Sequence, residues 1–88
     1  MGRDRHGFFE GQPDPDCSRY YAGMAQYMSQ LNDEFRPLGG RIAYVGEIAG
    51  SLTAIWKYGK RDRLSGFASG RDYRDLRENV FAQAFEGL

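Results

Sequence analysis

Apolar residues recur at steps of three and four through Tyr20, Met24, Tyr27, Met28, Leu31 and Phe35, one stripe on a helix of about five turns. Asp14 and Pro15 supply its cap and first residue, and Asp16 suits the positive end of its dipole. Arg36, Pro37, Gly39 and Gly40 close it. Ahead of this helix, residues 8–12 read as a short strand weakened by Gly7 and Gly11. Behind it the period changes to two. Residues 41–48 predict a second strand, with Ala43 and Val45 on one face and Ile42, Tyr44 and Ile48 on the other. Gly50 and Ser51 turn the chain, and residues 52–58 return as a third strand of a hairpin.

The stretch from Ile55 to Leu76 organises the second half. Trp56 and Tyr58 share a strand face, Gly59 breaks the strand, and two arginine-rich helical pieces follow on either side of Gly70. The first, residues 60–68, turns Leu64 and Phe67 inward, and the second, residues 71–78, does the same with Tyr73 and Leu76. Residues 80–86 alternate and predict a closing strand with Phe81 and Phe85 on one face. The order is βαββαβ, an α+β, ferredoxin-like arrangement of one domain, with both helices on one face of a four-stranded antiparallel sheet. Its strands are apolar on both faces, so two such sheets packed face to face as a C2 homodimer are expected.

Composition supports association. A chain of 88 residues buries only about 60–65% of its unfolded surface. Six Tyr, six Phe and one Trp exceed what so small a core needs, which points to an interface or a cavity. Lys plus Arg and Asp plus Glu are 12 each, and a net charge of zero argues against nucleic acid or an anionic membrane as the main partner. The charges are unevenly spread, with seven bases against three acids from Lys57 to Arg77, and solvated helix faces account for this. The lone Cys17 forms no internal disulfide, and no Cys or His cluster predicts a metal or other cofactor. The apolar run near residues 42–50 is interrupted by Glu47 and too short to span a bilayer, and no signal-peptide pattern is present, so a cytoplasmic location is expected.

Several short motifs carry a family likeness. They are Asp14-Pro15 at the helix start, Gly39-Gly40-Arg41 after it, Tyr58 ending the third strand, Phe67, then Tyr73 with Leu76-Arg77, and a final Glu-Gly-Leu from Glu86. In these the chain resembles the dimeric α/β barrel superfamily, and within it the domain of unknown function numbered 1330. The short hairpin followed by Ile-Trp-Lys-Tyr also looks like the related NIPSNAP-type domains. Either likeness implies a barrel with a pocket; members of the superfamily include cofactor-free monooxygenases, ring cyclases and decarboxylases, and proteins with no known activity.

The candidate chemistry is sparse. His6, the one side chain that ordinarily titrates near neutrality, is a candidate general base, or else a surface residue of the terminus. Glu47 interrupts an apolar strand and is a candidate catalytic carboxylate if enclosed, a wet strand end if not. Tyr44, Trp56 and Tyr58 are expected to meet across the hairpin as the wall of a pocket for a flat, oxygenated ligand, or as core and dimer packing. Arg41 is placed to hold an anionic group of that ligand, or to act as an edge or interface residue. Two functions follow: a cofactor-independent enzyme or binding protein for a hydrophobic, oxygenated small molecule in a cavity between sheet and helices, and a non-catalytic dimeric module. A base-stacking RNA domain is the third and is disfavoured by the charge balance.

Overall fold

The computed structural model describes residues 7–11 and 19–86. His6, the Asp14-Pro15 helix start and Cys17 lie outside them. Strand β1 spans Gly7–Phe9, helix α1 Arg19–Phe35, β2 Gly40–Ile48, β3 Ser51–Tyr58, β4 Leu64–Gly70 and α2 Tyr73–Glu86. The strands pair antiparallel in the order β1-β2-β3-β4. The α+β class, the four-stranded antiparallel sheet, the long helix and the hairpin are as the sequence predicts.

The element order is βαβββα, which corrects the expected βαββαβ in two places. Residues 60–68 are not a helix. Lys60–Asp62 is one 3-10 turn, and Leu64–Gly70 is the fourth strand. Leu64 and Phe67, three apart, match one helix face, but on a strand they separate, and Phe67 is left 68% exposed. The covered side of β4 carries Leu64 followed by Gly66, Ala68 and Gly70, three small residues that let its neighbours close in. A Cβ on Gly66 would sit 2.8 Å from Trp56 Cζ2, and one on Gly70 would sit 2.4 Å from the backbone nitrogen of Leu76.

Residues 80–86 are not a closing strand but the second half of α2. Phe81 and Phe85 are four apart, and that separation returns to the same face in a strand and in a helix, so it does not distinguish them. Leu76, Val80 and Ala84, all fully buried, complete the four-step series. The helix start lies at Asp72, whose Oδ1 accepts from Asp75 N at 2.9 Å while Asp75 Oδ2 accepts from Arg71 N at 3.0 Å.

Both helices cover one sheet face, α1 over β1 and β2, α2 over β3 and β4. Their buried stripes, Met24, Met28, Leu31 and Phe35 on α1 and Leu76, Val80 and Ala84 on α2, meet Ile42, Val45, Ala54, Trp56 and Ala68 of the sheet. A bulge in β2 makes this possible. Ile42 stands opposite Trp56, yet Tyr44 stands opposite Ile55, with Ala43 the extra residue. Ile42 and Val45 therefore both face the helices. The backbone of the bulge is satisfied from both sides: Ile42 N donates to Asn32 Oδ1 at 2.9 Å, and Glu10 N donates to Ala43 O at 2.9 Å.

Candidate docking face and charged cleft

Register alone assembles a row on the sheet face turned away from the helices. Phe9 pairs with Tyr44, Tyr44 with Ile55 and Ile55 with Phe67, one residue from each of the four strands. With neighbouring strands about 4.8 Å apart, the row spans about 14 Å. Phe67, Phe9 and, near the turn, Ile48 are 68%, 54% and 52% exposed. The Phe9 and Tyr44 rings lie 4.7 Å apart. Gly7 lets Tyr44 lie across β1, since a Cβ there would fall 2.1 Å from the tyrosine ring. Hydroxyls flank the row: Thr53 Oγ1 donates to Ser51 O at 3.2 Å and lies 3.3 Å from Ser69 Oγ.

The expected aromatic wall is divided between the two faces. Tyr44 belongs to the open-face row, whereas Trp56 is 5% exposed under the helices and donates its indole N–H to Gln83 Oε1 at 3.0 Å. Tyr58 is half-buried on the same covered side, with Phe35 at 5.9 Å and Phe85 at 5.7 Å between ring centroids. Without the bulge, strict alternation from Ile42 would place Tyr44 beside Trp56; the extra residue reverses its face. Glu47 is exposed near the turn end of β2, opposite Leu52.

Arg41 is committed to neighbouring acids. Its Nε and Nη2 reach Asp62 Oδ1 and Oδ2 at 3.1 and 2.7 Å, and its Nη1 meets Glu10, which also pairs with Arg36. The hydrogen bonds that Arg41 donates to Asp62, then to Glu10, raise its pKa above its ordinary range, and Arg41 in turn holds the Asp62 carboxyl below its own. Asp62 and its neighbour Arg61 both adopt left-handed backbone, φ 53° and 58°, which costs a non-glycine residue about 1 kcal/mol or more each. Beside this network, at the end of the sheet, is a cleft of about 280 Å³ lined by Arg36, Arg41, Lys57, Asp62, Gly39, Gly40 and Gly59.

On the helical side, Arg77 binds Glu34 with its Nε 3.0 Å from both carboxylate oxygens and lies 5.1 Å over the Phe81 ring. Hydrogen bonding from Arg77 lowers the Glu34 pKa. Tyr27 stacks on Tyr73 at 5.1 Å, and burial raises the pKa of the enclosed Tyr73 hydroxyl. Arg61 and Arg63, expected on a helix, stand in the β3–β4 connection.

Among the described residues no three His, Cys, Asp or Glu side chains converge as metal ligands, and no helix is long and apolar enough to cross a membrane. No family model, curated protein or solved structure matches the chain. The molecule is thus defined by its fold and surfaces: an α+β domain with one sheet face covered and the other carrying an apolar row. The sequence missed that row because Phe9, Ile55 and Phe67 align only through strand register.

Proposed function

We propose that this chain is a non-catalytic docking module whose open sheet face packs against the same face of a second copy, giving two sheets face to face in the manner of a dimeric α/β barrel. The observation that carries the reading is the Phe9–Tyr44–Ile55–Phe67 row, one apolar residue per strand, with Phe67 68% exposed. Chemistry favours a second copy over other occupants. The face is apolar along the row, with Thr53 and Ser69 on one flank and the Arg41–Lys57 pair on the other, and sheets stack about 10 Å apart with such rows interdigitated. A nucleic acid needs cations for a run of phosphates, whereas the chain has no net charge.

Docking is favoured over turnover by the filling of the space between sheet and helices. Leu31, Phe35, Ile42, Val45, Leu76 and Val80 are fully buried there, and the Trp56 indole is tied to Gln83. A four-strand face covers on the order of 1,000 Å² in total when two copies meet, the low end for specific association, so the dimer should be concentration-dependent. Sedimentation over a range of protein concentrations tests this. A monomer–dimer equilibrium that Phe67→Ser shifts towards monomer supports the reading; a parent that stays monomeric at about 1 mM, a generous limit for weak pairs, overturns it.

A further inference from the structure

The cleft at the end of the sheet has a chemistry that the docking face does not use. Arg36, Arg41 and Lys57 line it against a single lining carboxylate, Asp62, with Glu10 behind. The acids hold the two arginines in place without exhausting them. Of the five N–H donors a guanidinium carries, Asp62 takes two from Arg41 and Glu10 takes one, so two remain. Arg36 gives one donor to Glu10 and keeps the rest. Lys57 makes no ion pair within 4.0 Å among the described residues, and its charge reaches Asp62 through space.

Three further observations point to an oxygen anion here. The Asp62 carboxylate is itself a bidentate occupant of Arg41, so the planar fork already displays the geometry such a group requires. It is held there on two successive left-handed residues, a strained arrangement of the kind found at ligand clamps. The glycine wall, with Gly39 and Gly59 at φ 104° and 88°, lets a ligand approach the backbone closely.

We infer that this cleft binds an oxyanion, a phosphate or carboxylate group, through the Lys57 ammonium, the two spare N–H groups of Arg41 and the guanidinium of Arg36. Lys57 stands two residues beyond Ile55 on the same strand face, so the cleft borders the docking row, and it is tested at concentrations where the chain is monomeric. A second surface cleft of about 290 Å³, lined by Arg71, Arg74, Asp72, Asp75 and Glu78, has more acids than bases and serves as an internal comparison.

The test is a titration of the full chain with inorganic phosphate and, separately, with acetate, at fixed ionic strength, following backbone amide resonances. Saturable shifts at Gly39, Gly40 and Gly59, absent around Arg71 and Arg74, are expected from at least one anion, and the one that saturates identifies the class. Lys57→Ala weakens binding about tenfold, as loss of one charge-assisted hydrogen bond should. Arg36→Ala, with the parent's circular dichroism, weakens it in the same direction. Shifts that fail to saturate, equal shifts at both clefts, or binding unchanged in both variants would overturn the proposal.

Discussion

Trp56 donates its indole N–H to Gln83 across the interface of β3 and α2, at 3.0 Å. The sequence offers Trp56 as a pocket wall or as core packing and places Gln83 in a closing strand; the hydrogen bond makes them a core contact between sheet and helix. Gln83→Ala leaves a nearly buried donor without its acceptor and should cost about 1–2 kcal/mol. Urea unfolding followed by Trp56 fluorescence reads this directly. An unchanged midpoint would mean that water replaces the glutamine at no cost.

Two glycines should respond in opposite directions to alanine. At Gly70 the new Cβ would meet the backbone of α2 at 2.4 Å, which a side-chain rotation cannot relieve, so a loss of about 2 kcal/mol or more is expected. Gly23 stands within α1 with nothing within 4 Å of the added carbon. Gly23→Ala should stabilise the protein by about 0.5–1 kcal/mol by lowering the entropy of the unfolded chain. Thermal unfolding of the two variants side by side checks both signs.

Arg61→Gly should also stabilise, by up to about 1 kcal/mol, because glycine adopts the left-handed backbone without strain. A destabilised variant would show that the Arg61 side chain contributes more than its backbone strain costs.

Acid should weaken the fold through three carboxylates, Glu34 and Asp62 exposed and Asp75 half-buried. Glu34, Asp62 and Asp75 have pKa values lowered by hydrogen bonds from Arg77, from Arg41 and from the Arg71 backbone N–H respectively. A carboxylate depressed in the folded state contributes stability above its unfolded pKa of about 4 and loses it as pH falls through the lower folded value. Stability should therefore be level near neutrality and fall below about pH 4. Glu34→Gln should flatten that fall, and a pH series of urea midpoints will show whether it does.

Phe67→Ser separates docking from folding. Phe67 is 68% exposed in one copy, so its replacement should change the stability of the monomer by less than about 0.5 kcal/mol while weakening association. A large loss at concentrations where the parent is monomeric would reassign Phe67 to the packing of a single copy.

The elements legible in the sequence are those whose pattern had one physical solution. The stripe from Met24 to Phe35 fits only a helix, Gly39 at φ 104° closes it, and Ala49 and Gly50 at φ 52° and 82° turn the hairpin, one residue ahead of the expected Gly50-Ser51. Arg77, on a stretch read as a solvated helix face, pairs with Glu34. The second half was ambiguous because Leu64 and Phe67 mimic a helix face and Phe81 and Phe85 satisfy both periods.

Local pattern thus established the class, the long helix, the hairpin and the presence of surplus aromatics. It did not assign those aromatics to faces. A single extra residue at Ala43 sends Tyr44 to the open face and keeps Ile42 with Trp56 in the core. That shift is stabilised by contacts far along the chain, from Asn32 and Glu10 to the bulge backbone. Side-chain direction in a strand reverses with each residue, so one long-range hydrogen-bonding choice redistributes a whole surface, and no local preference encodes it.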